Sequence, residues 1–165
     1  MLTPALVNAL PTDSKLTIKT IVEDSNKVRY SDNETFWGFS LGYFPILEED
    51  FESGGISVDL YTENKISKIF KLGWSYQLNI AIDGGGYMAF YGYLSCPLKL
   101  WNNNLYIKGG LGLATYTYLT PVAYFKVEYL LWEFEKSAIS LSISETIPGI
   151  QTVFLPPVIS VGILF

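Results

Sequence analysis

Residues 70–82 read Phe-Lys-Leu-Gly-Trp-Ser-Tyr-Gln-Leu-Asn-Ile-Ala-Ile. Phe70, Leu72, Trp74, Tyr76, Leu78, Ile80 and Ile82 fall on one parity; Lys71, Gly73, Ser75, Gln77, Asn79 and Ala81 fall on the other. A β-strand sends successive side chains to opposite faces, whereas a helix repeats every 3.6 residues. Alternation sustained this long predicts a single strand with one oily face and one face of small or polar groups.

The same pattern recurs on both sides of it. Over residues 35–44, Trp37, Phe39, Leu41 and Tyr43 oppose Gly38, Ser40 and Gly42. Over 55–63, Ile56, Val58 and Leu60 oppose Ser57, Asp59 and Glu63. Residues 87–100 are less regular, with Met88, Phe90, Leu94, Cys96 and Leu98 set against Tyr91, Tyr93 and Lys99. Further runs cover 105–118, with Lys108 among the glycines, and 123–132, with Lys126 and Glu128 opposite Phe125, Val127, Tyr129 and Leu131. In 138–145 three serines oppose Ile139, Leu141 and Ile143; in 158–165 Ser160 and Gly162 oppose Ile159, Val161, Ile163 and Phe165. Turn chemistry separates the runs, as at Asp83-Gly84-Gly85-Gly86 and Asn102-Asn103-Asn104. The reading is all-β: an antiparallel up-and-down barrel of about eight strands over 35–165, with ten strands as the alternative.

Residues 1–34 read as an N-terminal extension. Thr3 and Pro4 suit a helix start, but Pro11 limits that helix to two turns. Residues 15–23 (Lys-Leu-Thr-Ile-Lys-Thr-Ile-Val-Glu) carry strand character and are placed outside the barrel wall or on an edge. The first residues lack a basic n-region and a cleavage motif, so the chain reads as a mature form.

Side-chain size decides which way the oily face points. It carries Trp, Phe, Tyr, Leu and Ile, and an eight-stranded lumen holds little beyond modest side chains. The opposite face, rich in Gly, Ser and Ala, suits a narrow interior. Asp59, Glu63, Lys71, Lys99, Lys108, Lys126 and Glu128 all fall on that small-residue face. A Lys or Arg facing lipid at the midplane would cost roughly 2–4 kcal/mol. Glu145 breaks the parity, at the end of its run. The expectation is a transmembrane barrel with lipid outside and a structural polar network inside. A soluble lipid-binding barrel with the greasy face inward is the competing architecture.

Composition agrees. Charged residues make up 16% and aromatics 16%, with 12 Tyr and 4 Trp; ordinary globular domains carry about 25% charged residues. Amphipathic rings suit two membrane–water interfaces. A net charge of -5 and the lack of any Lys/Arg cluster argue against nucleic acid as a partner. Cys96 has no second cysteine to pair with.

The chain ends on Val161, Ile163 and Phe165. Here it resembles bacterial outer-membrane barrels of the OmpX/OmpA size class, over about residues 35–165 and in architecture rather than matched sequence. The family often has a Gly about five residues before the end, where this chain has Ser160. The resemblance implies a bacterial outer-membrane location, with Val161, Ile163 and Phe165 as the signal read by the assembly machinery. It also implies periplasmic turns at 133–137, 102–104 and near 64–67. The external segments would then lie near 45–54, 83–86, 119–122 and 146–157, two of them the longest connections.

Candidate chemistry is sparse. The chain has no histidine, the base or partner on which catalytic barrels resembling this class rely. A Ser nucleophile would need a Lys or carboxylate base instead, as in Ser75 or Ser95 with Lys71 or Lys99, and small packing residues beside an ion pair is the plainer reading. No catalysis, cofactor or metal is expected. Glu48, Glu49, Asp50 and Glu52 form an acidic external segment able to meet a cation or a basic partner. The functional expectation is a structural or surface-interaction protein whose lumen is plugged by polar side chains; a narrow channel for ions or small solutes is the alternative.

Overall fold

The computed structural model describes residues 35–48, 51–82, 84–98, 105–115, 118–134, 136–149 and 156–165. The expected N-terminal helix and strand, Glu49, Asp50, Asp83, Lys99, the asparagine turn and residues 150–155 lie outside them. Eight strands follow one another: β1 (Thr35–Glu48), β2 (Phe51–Lys65), β3 (Lys71–Ala81), β4 (Gly86–Leu98), β5 (Leu105–Thr115), β6 (Leu119–Glu133), β7 (Ala138–Pro148) and β8 (Val158–Leu164). Each pairs antiparallel with its sequence neighbours, and β8 pairs with β1, closing the barrel.

Closure uses short joins. Phe134 N donates to Ser137 O across the β6–β7 turn. In the β2–β3 turn the Ser67 hydroxyl accepts from the backbone N–H of Ile69 and Phe70, a local arrangement that Ser favours in turns. Gly84 and Gly85, both at φ +92°, supply the left-handed backbone that reverses the chain between β3 and β4. Trp37 and Phe165 exchange backbone hydrogen bonds, so β1 begins and β8 ends at the same rim. We call it the terminal rim and the opposite one the far rim.

The alternation holds throughout. In β3, Lys71, Gly73, Ser75, Gln77 and Asn79 are buried, while Leu72, Trp74, Tyr76 and Ile80 are exposed. The outer face is a continuous apolar surface to which every strand contributes, from Trp37 (62% exposed) in β1 to Val161 (53%) in β8. Soluble monomers rarely expose so much contiguous apolar area. Inside a bilayer it is the correct face to present, and closure leaves no unpaired strand edge in the hydrocarbon. The barrel is therefore a transmembrane one, with the oily face outward.

Strand ends departed from the sequence reading. β1 continues to Glu48 and β2 starts at Phe51, paired from Phe44↔Gly55 to Glu48↔Phe51, so most of the expected 45–54 loop is hairpin. Leu119–Val122 is not a connection but the start of β6, paired with β5 from Thr115↔Leu119. β7 runs past Glu145 to Pro148, because Thr146, Ile147 and Pro148 still pair with Tyr124, Ala123 and Val122. Glu145 thus stands inside a strand. Pro45 is tolerated because alternation from Trp37 aims its nitrogen toward the β8 side, above the last β1–β8 pair, Tyr43↔Ile159. At seven residues β8 is the shortest strand, and its pairing with β1 covers only Gly38 to Tyr43.

The interior is also bulkier than its small residues suggest. Phe36, Phe44, Tyr61, Tyr87, Tyr91, Tyr93, Tyr106, Tyr124, Leu130 and Leu164 are all buried. Glycines on adjacent strands make the room. The Tyr61 ring lies where a Cβ on its ladder partner Gly38 would stand, and Tyr93 does the same over Gly73. At these positions the small face of one strand is a socket for the ring of the next.

Candidate functional site: the charged layer of the lumen

Six of the seven charges placed on the small-residue face are described, and all six are buried: Asp59, Glu63, Lys71, Lys108, Lys126 and Glu128. Three are acidic and three basic, so their formal charges cancel. Period two delivers them inward from β2, β3, β5 and β6. The structure joins them across the lumen as well as along the wall. Lys108 Nζ on β5 pairs with Glu63 Oε1 on β2 and lies 2.7 Å from Glu128 Oε2 on β6. Lys126 Nζ on β6 lies 3.2 Å from Asp59 Oδ2 on β2 and 3.7 Å from Glu128 Oε1. Lys71 Nζ lies 4.3 Å from the centre of the Phe36 ring, a cation–π geometry.

Neutral donors complete the layer. Glu128 Oε1 accepts from Tyr61 Oη at 2.8 Å and from Ser140 Oγ at 3.0 Å. Glu63 Oε1 accepts from Tyr93 Oη at 3.1 Å, and Asp59 Oδ1 accepts from Ser75 Oγ. A buried charge costs several kcal/mol unless paired and hydrogen-bonded; here each carboxylate has both a cation and a hydroxyl. Lys108 and Lys126 also face the Tyr61 ring, at 4.5 and 4.4 Å from its centre. The sequence reading missed Tyr61 and Ser140 as members. Their parity was available: each alternates with outward residues, Leu60 and Leu141.

Apolar and aromatic groups flank this layer on both sides. Along β6 from the terminal rim, the inward residues run Leu130, Glu128, Lys126, Tyr124, Val122. Toward the terminal rim, Leu130 clusters with Phe36, Tyr61, Tyr106, Ala138 and Leu164. Toward the far rim, Tyr124 clusters with Tyr87, Ala89, Tyr91, Tyr93, Ala114 and Val122, and the Tyr91 and Tyr124 rings stack at 4.4 Å. Tyr91 Oη bonds Gln77 Oε1 at 3.0 Å and Thr146 Oγ1 at 2.7 Å, linking β4 to β3 and to β7.

The possible Ser–Lys pairings are not assembled as a nucleophile and base. Ser75 is spent on Asp59. Ser95 faces Lys71 across the β3–β4 ladder, but its hydroxyl has no hydrogen-bond partner among the described residues. No group of three or more metal-ligating side chains comes together among the described residues. Cys96 is half-buried, paired in register with Ile107.

Against protein-family models and curated proteins the chain has no match. Among solved structures it is similar to the outer membrane protein Ail of Yersinia pestis, in a phospholipid bilayer nanodisc. That similarity has a TM-score of 0.47 at 12% identity and covers 80% of this chain and 100% of that one.

Proposed function

We propose that this chain is an integral protein of a bacterial outer membrane, without catalytic activity, whose lumen is plugged and whose role is structural or surface-interacting. The observation that carries the reading is the order of layers inside the barrel: neutralised charges between two sheaths of rings and aliphatic side chains. An ion entering from either rim would have to displace packed side chains and then separate ion pairs already satisfied by hydroxyls. A water-filled path would instead line the lumen with hydrated, unpaired groups. The terminal rim is then periplasmic, Val161, Ile163 and Phe165 engage the assembly machinery, and the far rim carries the acidic β1–β2 hairpin toward an external partner. Planar-bilayer recording tests the plug: the wild-type barrel should insert without discrete conductance steps. Reproducible steps from purified protein, altered in K108M, would replace this reading with a channel.

A further inference from the structure

Residues 64–70, which turn the chain from β2 into β3 at the terminal rim, read Asn-Lys-Ile-Ser-Lys-Ile-Phe: two cations and no carboxylate. Ile66, Ile69 and Phe70 are 57, 54 and 44% exposed, so three large apolar groups stand beside two exposed lysines, Lys65 and Lys68. The backbone that carries them is tied down. Ile66 N and Ser67 N both donate to Phe70 O, and the Ser67 hydroxyl accepts from Ile69 and Phe70. Directly below the turn, Thr62 has Trp37 in register on one side and Trp74 on the other, both exposed on the outer face. The apolar wall thus continues from Trp74 through Leu72 and Phe70 into the turn. Tryptophan favours the level where a bilayer meets water, and a lysine stem lies along apolar surface while its ammonium reaches past it. Charge also separates the two rims. Outside the lumen layer, the terminal-rim turns and the residues bordering them carry Lys65, Lys68, Lys99 and Lys136 against Glu133 and Glu135. Their far-rim counterparts carry Glu48, Glu49, Asp50, Glu52 and Asp83, and neither Lys nor Arg.

We propose that the β2–β3 turn binds the headgroups of anionic phospholipid in the leaflet at the terminal rim. Its three apolar side chains enter the acyl region, and the ammonium groups of Lys65 and Lys68 meet the phosphates above. A zwitterionic headgroup offers the same phosphate but brings a cation of its own, which the two lysines repel; an anionic headgroup does not, and basic residues at a membrane surface select it for that reason. The β6–β7 turn is the built-in comparison. It also pairs an exposed ring, Phe134, with an exposed lysine, Lys136, but Glu133 and Glu135 offset that charge. The inference rests on the outer face being lipid-facing.

The test uses the whole chain in vesicles of equimolar phosphatidylglycerol and phosphatidylcholine, with bromine on the acyl chains of one lipid or the other. Trp37 and Trp74, two of the chain's four tryptophans, flank the turn, so quenching of native fluorescence samples the lipid beside it. Wild type should be quenched more when phosphatidylglycerol carries the bromine, by an amount matching a local excess of about threefold, in the range that one or two lysines at an anionic surface supply. The excess should vanish in K65Q/K68Q, persist in K136Q, and shrink at about 1 M salt, where the screening length falls to about 3 Å. Heat-modifiable gel migration confirms that the variants are folded. Equal quenching in wild type, an excess that survives in K65Q/K68Q, or one that K136Q abolishes as fully overturns the proposal. Equal but strong quenching by both lipids leaves the outer face lipid-facing, and only the role of the turn fails. Quenching by neither would overturn the lipid-facing reading itself.

Discussion

Asp59 and Lys126 offer the sharpest test of the lumen. Lys126 Nζ is 3.2 Å from Asp59 Oδ2 and 3.7 Å from Glu128 Oε1, attractions of about 5 and 4.5 kcal/mol at an effective dielectric near 20. K126M removes both and, among the described residues, leaves Asp59 the Ser75 hydroxyl. Part of that loss is offset because Lys126 is no longer desolvated, so a net destabilisation of about 3–5 kcal/mol is expected. D59N removes one attraction, keeps an acceptor for Ser75, and leaves Lys126 beside Glu128; it should cost about 1–3 kcal/mol. In D59N/K126M the formal charges cancel again, and the double variant should be at least about 2 kcal/mol more stable than the sum of the single losses. The assay is urea unfolding in lipid vesicles, followed by tryptophan fluorescence. With a slope of about 2 kcal/mol per molar urea, K126M should shift the midpoint down by about 1.5–2.5 M. Strict additivity would refute the cross-lumen pairing.

Other outcomes follow from the same geometry. G38V places a branched side chain where the Tyr61 ring lies; it should cost about 1–3 kcal/mol in the same unfolding assay. G109A adds a methyl where nothing stands within 4 Å and should be close to neutral. S140A removes one donor to Glu128, and a loss of about 1 kcal/mol is expected. Spin labels replacing Trp74 and Ser75 should report opposite environments, with position 74 accessible to lipid-soluble oxygen and position 75 shielded; the reverse pattern would invert the barrel.

Period two made the wall legible. In β3 and β8 the outward residues were readable one by one, because both faces have unambiguous chemistry. Strand ends were not. The upper parts of β1 and β2, and β6 from Leu119 to Val122, are held by partners far along the chain, and local composition there is rich in Pro, Gly and acidic residues. Tyrosine was the ambiguous letter: Tyr43 and Tyr76 face out, whereas Tyr61, Tyr106 and Tyr124 face in. Only the parity of the surrounding residues separates them. Phe36 and Phe44 violate the rule that large apolar groups face lipid; for Phe44 the room comes from Gly55, its partner on β2. The sequence placed the charges inside but left their partners open. Which strands meet across a lumen depends on stagger, a property of the closed ring that no single strand contains.

β8 meets β1 along six rungs, from Gly38 to Tyr43, while β1 and β2 are joined by fourteen. With the Trp37–Phe165 bonds just beyond them, the join between the first and last strands is about as short as that between β7 and β8, and it is the one join with no turn to hold its halves together. Every other strand pair can zip locally from its hairpin. This one must wait until the sheet has curled enough to bring its margins face to face. Removing Leu164 and Phe165 would take from this seam its Gly38↔Leu164 rung and both backbone bonds to Trp37.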